Sequence, residues 1–188
     1  MKVKPTTKAS EVVMELSARD EALMEKASMP PSPFQIRNIL VPVDFSECSE
    51  KALRYAMPLA EQNKAAITLL YVTPGCVTGG FSAVDYVKLR GEMRASAERQ
   101  LSALIAQQRN DDVEVQFRTA EGDAPTEIVT AARSLPADLI VISTHGRTGL
   151  THALLGSVAE HVVQRASCPV LVVREHEHEF LQPPIKTT

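Results

Sequence analysis

The sequence predicts an α/β fold, a single doubly wound parallel sheet with helices on both faces. Three observations carry this. Short apolar runs recur at 36–43, 65–73, 138–143 and 169–173, each of strand length. Between them lie segments whose apolar residues fall three and four apart, the spacing of an amphipathic helix. Strands that are apolar on both faces and joined by helices need cover on both sides, which is the condition of a parallel sheet.

Residues 1–34 stand apart from this alternation. Ser10 can cap a helix running to about residue 27, with Val12, Val13, Leu16, Leu23, Met24 and Ala27 as its apolar stripe. Pro30, Pro31 and Pro33 then end it, because proline lacks the N–H that a helix needs to continue. Two readings of this extension stand: a docking helix for a protein partner, or an appendage lying on the domain. The expected organisation is an extension at 1–34, a domain at 35–175 and a mobile tail at 176–188.

Within the domain, the first strand (36–43) ends on Asp44. A helix follows over 46–62, with Ser46 as N-cap, Glu47 and Glu50 favourable at its positive end, and Pro58 expected to kink it near the third turn. The second strand, 65–73, leads into a glycine-containing loop. A long helix over 87–108 follows, with Leu89, Met93, Ala97, Leu101, Leu104 and Ile105 on its inner face. At 113–119 Val113, Val115 and Phe117 alternate with polar residues, as in a strand with one exposed face. Asp123 caps the next helix, whose first turn tolerates Pro125. The strand 138–143, a glycine-containing loop, a helix over 157–166 and the strand 169–173 complete the pattern.

Composition narrows the function. The chain has 188 residues, 44% of them hydrophobic and 23% charged, which is ordinary globular usage. At this length roughly 70% of the unfolded surface is buried on folding, so no metal or disulfide is needed for a core. Lys plus Arg number 20 against 23 Asp plus Glu, a balance that argues against a nucleic-acid partner. Three cysteines are too few, and odd in number, for a disulfide framework. No apolar run approaches the roughly 18 residues of a membrane span. Charges run from Lys2 to Lys26 with no apolar stretch between them, so a secretory leader is not expected. The expectation is a soluble, cytoplasmic protein with no membrane partner.

The chemistry concentrates in one segment: Ser143-Thr144-His145-Gly146-Arg147-Thr148-Gly149, then Gly156-Ser157 at the start of a helix. A helix N-terminus presents unpaired N–H groups and a positive dipole end to an anion. Glycine lets the backbone approach a phosphate without an intervening Cβ. Ser157 can donate its hydroxyl, and Arg147 and His145 can add positive charge or donors. The same residues admit a second reading, because Ser157-Val158-Ala159-Glu160 also fits a capping box that would engage the Ser157 hydroxyl structurally. No Walker loop follows any strand, and the dinucleotide pattern of three closely spaced glycines is missing after the first strand. Cys48 falls in the first turn of a helix, where a redox role would want a resolving partner that the sequence does not supply, and Cys168, just before the last strand, is expected to be a buried apolar residue. Asp44 likewise has two readings, ligand or local cap.

Three stretches together resemble the universal stress protein family: Asn38-Ile-Leu-Val-Pro-Val-Asp44-Phe-Ser46, Leu70-Tyr71-Val72, and 143–173 ending in Ala166-Ser-Cys-Pro-Val-Leu-Val-Val173. The family's nucleotide motif is Gly, two residues, Gly, nine residues, Gly, then Ser or Thr. Gly146, Gly156 and Ser157 match it, while Ser143 stands where the first glycine would be. The resemblance covers about residues 36–174. It implies a five-stranded parallel sheet in the order 3-2-1-4-5, a flavodoxin-like three-layer sandwich. It implies that Val43, Asp44 and Val72 hold adenine and ribose, and that Ile142, Ser143, His145, Gly146, Arg147, Gly156, Ser157 and Val158 line the phosphate path. ATP with Mg²⁺ or Mn²⁺ is then the expected ligand, and a homodimer through Val170–Val173 the expected assembly. The function so implied is a nucleotide-responsive stress switch or adaptor. The alternatives are a slow ATPase or phosphoryl-transfer enzyme, with Asp44 or His145 positioning a water, and a dimeric scaffold that binds no nucleotide.

Overall fold

The computed structural model describes residues 2–5, 12–15, 35–75, 83–108, 110–146 and 155–174. The chain divides into two compact units, Met1–Gln35 and Ile36–Thr188.

In the first unit, β1 (Lys2–Pro5) pairs antiparallel with β2 (Val12–Glu15), placing Val3 opposite Met14 and Lys4 opposite Val13. This corrects the helix expected over 10–27: residues 12–15 are strand. Val12 and Val13 are β-branched and stiff at χ1, which favours extended backbone where a partner strand is at hand. The remainder of the expected helix, and the prolines after it, lie outside the described residues.

The second unit holds a five-stranded sheet in the order β5-β4-β3-β6-β7, with every neighbouring pair parallel. Its strands are β3 (Asn38–Pro42), β4 (Ala66–Pro74), β5 (Val115–Gly122), β6 (Leu139–Ser143) and β7 (Val170–Val173). Counted within this unit, the order is the expected 3-2-1-4-5. Four helices join them: α1 (Glu47–Asn63), α2 (Ala83–Gln107), α3 (Ala124–Ser134) and α4 (Ser157–Arg165).

The two-residue period of the strands sorts the core into two layers. Ile39, Val41, Ile67, Leu69, Leu139 and Val141 pack with Leu53, Ala56, Leu101 and Leu104 of α1 and α2. Leu40, Leu70, Ile140 and Ile142 pack with Ile128, Ala132, Ala159 and Val162 of α3 and α4. β3, β4 and β6 have cover on both faces, which is why their sequences run apolar without alternation. The strand starts are tied as well: Asp138 accepts hydrogen bonds from the amides of Arg37 (2.8 Å) and Asn38 (3.0 Å).

Two details differ from expectation. α2 begins a turn earlier than its apolar spacing suggested, and Met93, placed on the inner face, is 39% exposed. Only the second half of this 25-residue helix packs inward, with Ala97, Leu101 and Leu104 buried while Val84 and Val87 are exposed. In its first half, Arg90 forms an ion pair with Glu121 near the end of β5.

β3 pairs with β4 on one side and β6 on the other. The chain therefore reverses its winding direction at this strand, and in such sheets a crevice opens beyond the carboxyl ends of the two strands flanking the reversal.

Candidate functional site

Two loops leave the carboxyl ends of β3 and β6 at this reversal. After β3 the chain runs Val43-Asp44-Phe45-Ser46 into α1. Val43 is buried and its amide donates to the Leu70 carbonyl (2.9 Å). Its side chain lies in the core layer under α1 and α2, so only its backbone faces the crevice. Ser46 is the N-cap, its Oγ accepting from the Ser49 amide (3.2 Å). The same Oγ donates to Asp44 Oδ1 (2.6 Å), and the Ser46 amide donates there too (3.1 Å). Buried Ser49 closes the turn: its Oγ donates to the Ser46 carbonyl (2.9 Å) and accepts from the Asp44 amide (3.3 Å). Asp44 is thus not the helix cap, as one reading had it. One carboxylate oxygen is tethered to the capping serine and the other, Oδ2, reaches the second loop.

The contact there is with Gly146. A Cβ on Gly146 would overlap Asp44 Oδ2, so any larger residue there would displace that carboxylate. The β6 loop is itself stitched. Ser143, which stands where the family motif has its first glycine, is buried and its hydroxyl donates to the His145 carbonyl (2.9 Å). Thr144, buried and not singled out by sequence reasoning, is the hub. Its amide donates to the Val173 carbonyl of β7 (2.9 Å) and its carbonyl accepts from the Gly156 amide (2.8 Å). Its hydroxyl lies 2.9 Å from His145 Nδ1.

Gly156, and not Ser157, is the N-cap of α4, in extended backbone and with no side-chain cap. A Cβ there would overlap the Thr144 carbonyl oxygen. The capping-box reading of Ser157 therefore fails: Ser157 is the first residue of the helix, exposed beside its N-terminal amides. Val158, Ile142 and Val72 share the core layer under α3 and α4, which places them on the same face of the sheet. Arg147 and the rest of the loop through residue 154 lie outside the described residues, as do the loop 76–82 and the tail beyond 174.

A third helix starts at the same edge of the sheet. Asp123 caps α3, accepting from the Thr126 amide (3.2 Å) and hydroxyl (2.7 Å). The hydroxyl bond first, then the amide bond, holds its carboxyl below the usual aspartate range, with His161 adding to the effect. At the opposite end of the sheet, burial pushes the Cys168 thiol up, and nearby Asp138 adds to it, so this cysteine is a poor nucleophile. Among the described residues no cluster of three or more His, Cys, Asp or Glu is arranged to hold a metal ion. Nor is any described helix long and apolar enough to cross a membrane.

Residues 35–174 match the model of the universal stress protein family. Universal stress protein MJ0531 of Methanocaldococcus jannaschii is 34% identical over 144 residues, covering 76% of this chain and 85% of that one. Among solved structures, the universal stress protein UspA from Lactobacillus plantarum is 28% identical with a TM-score of 0.60, over 74% of this chain and 99% of that one. The universal stress protein from Archaeoglobus fulgidus, solved in complex with dAMP, shares the fold at 24% identity and a TM-score of 0.52, over 74% of this chain and 98% of that one. Over its sheet and both crevice loops, this chain belongs to the universal stress protein family.

Proposed function

We propose that the protein binds ATP in the crevice between β3 and β6 and acts as a nucleotide-responsive switch or adaptor in a cytoplasmic stress response. The observation that carries this is the start of α4, a helix N-terminus capped by glycine, with an exposed serine in its first position, beside the close approach of Asp44 and Gly146. Backbone N–H groups and the helix dipole are suited to phosphate oxygens. In this reading Asp44, with the backbone of Val43 and Val72, holds adenine and ribose, Ile142 and Val158 form the apolar floor, and His145, Gly146, Arg147, Gly156 and Ser157 line the phosphate path. Ser143 contributes by bracing the loop through the His145 carbonyl. That a family member of the same fold binds dAMP makes adenine nucleotides the class to test first.

A divalent cation fits this site as part of the ligand. Mg²⁺ keeps several waters and binds through few protein groups when phosphates supply the rest. The Ser157 hydroxyl is the neutral oxygen donor available beside such phosphates. The cation would offset phosphate charge near Asp44. The assembly we propose is a homodimer through β7, an edge strand whose Leu171 is 36% exposed; pairing with a twofold mate would cover that edge.

Calorimetry with Mg-ATP tests the site, using Ser157→Asp as the control. Wild type should bind in the micromolar range, about −8 kcal/mol. The variant should bind about a hundredfold more weakly through repulsion of the phosphates. Its stability should hold or rise, since a carboxylate in the first turn favours the helix by roughly 0.3–1 kcal/mol. Wild type failing to bind at millimolar Mg-ATP would contradict the nucleotide reading and leave the dimeric scaffold in its place.

A further inference from the structure

We propose that Phe45 is a positioning residue of this site, a left-handed turn anchored by its ring on Tyr71 that aims the Asp44 carboxylate at the Gly146 loop. The proposal rests on the nucleotide reading and adds to it a residue that touches no ligand.

Phe45 has φ 63°. Among the described residues one other non-glycine residue, Lys64, has positive φ, and it sits at the C-cap of α1, where a left-handed residue is ordinary. Phe45 has no such excuse. It lies between a strand and a helix, and its bulk makes a left-handed backbone unfavourable where glycine would be comfortable. Strain of this kind persists only where the surroundings over-determine it, and it clusters at functional sites.

The surroundings here hold the residue on both sides. Before it, the Asp44 amide donates to Ser49 Oγ (3.3 Å); after it, the Ser46 amide and hydroxyl both donate to Asp44 Oδ1. The ring itself is half-buried against the core layer under α1 and α2, tilted 33° to the Tyr71 ring with centroids 4.8 Å apart. That layer is on the face of the sheet away from Val72, Ile142 and Val158. The ring therefore acts through the backbone: it fixes the turn, the turn sets Oδ1 on Ser46, and Oδ2 is left against Gly146. A glycine at 45 would relax the backbone and lose the anchor, so the turn would no longer have one orientation.

The test compares Phe45→Tyr, Phe45→Leu, Phe45→Ala and Phe45→Gly for Mg-ATP affinity and unfolding midpoint, in the wild-type and Asp44→Ala backgrounds. Phe45→Tyr keeps the ring and should bind within about twofold of wild type, whereas Phe45→Ala and Phe45→Gly should bind about tenfold more weakly. Phe45→Leu keeps apolar packing without a ring, so it remains informative if the smaller variants fail to fold; it too should weaken binding. With Asp44→Ala already in place, the same changes should alter affinity by no more than about twofold, because the residue acts through Asp44. In the nucleotide-free protein, the Gly146 amide resonance should move in Phe45→Leu and stay in Phe45→Tyr. Variants that lose stability yet bind as wild type, or that weaken binding equally in both backgrounds, would overturn the proposal. A Gly146 resonance that moves as expected, in a protein that binds no Mg-ATP, would uphold the geometry while sinking the nucleotide reading. A resonance that stays put would overturn the geometry directly.

Discussion

The N-terminus of α1 is closed by its own side chains, whereas that of α4 is closed by a glycine. At α1, Ser46 caps the Ser49 amide and ties down Asp44, and Ser49 ties down the loop before it. At α4, Gly156 supplies only backbone, pinned to the Thr144 carbonyl, and Ser157 is left exposed. The two termini belong to the two strands that flank the reversal of the sheet, and their loops meet where Asp44 approaches Gly146. A helix start that is satisfied internally is a structural device, while one that relies on backbone alone is suited to an external anion. The pairing of one of each across a single crevice gives the site a rigid wall and a receptive one.

The largest expected effect comes from breaking the closure of α4. Gly156→Ala drives a methyl into the Thr144 carbonyl oxygen, the same backbone atom that accepts the Gly156 amide. A loss of about 2–3 kcal/mol in urea unfolding is expected. Closing α1 less well is milder: Ser46→Ala removes the cap and should cost about 1 kcal/mol. It should also weaken Mg-ATP binding, because Asp44 Oδ1 loses a partner. Ser157→Ala sharpens the contrast. Since Ser157 is not the cap, stability should change by less than about 0.5 kcal/mol, and a loss as large as that of Ser46→Ala would restore the capping box.

The smallest effect concerns the third helix start, at Asp123. Its carboxyl titrates lower in the folded protein than in the unfolded chain. The stability it contributes is therefore full above the ordinary aspartate range and is lost as pH falls through the depressed folded value. Asp123→Asn should flatten this part of the stability–pH curve below the ordinary range. An unchanged curve would show that the bonds to Thr126 do not persist in solution.

What the sequence disclosed, and what it withheld, follows from the range of the interactions. Ser46 and Asp123 were legible as caps, and Pro125 as a first-turn proline, because capping is decided within a few residues. The strands β3, β4 and β6 were legible because burial on both faces leaves continuous apolar runs. Gly156 was hidden behind Ser157, whose pattern fits a capping box; the true cap is selected by a hydrogen bond from its own amide to the Thr144 carbonyl, across a loop that local pattern does not register. Phe45 carried no mark of a left-handed turn, since neither glycine nor asparagine stands there. Thr144 is likewise invisible until β7 and α4 arrive at its amide and carbonyl. Residues 12–15 were misread because strand pairing with β1 outweighed a helical spacing already broken between Leu16 and Leu23. Met93 was misread because only the second half of α2 packs inward.

The central claim is that phosphate binds at the start of α4 and not at the start of α1. The most direct measurement is the movement of backbone amide resonances in the ¹⁵N-labelled protein as Mg-ATP is added. The largest movements should fall on Gly156, Ser157, Val158 and Gly146, with far smaller ones at Glu47, Cys48 and Ser49. Movements concentrated at the α1 residues, or absent from 156–158 while ATP binds, would contradict it.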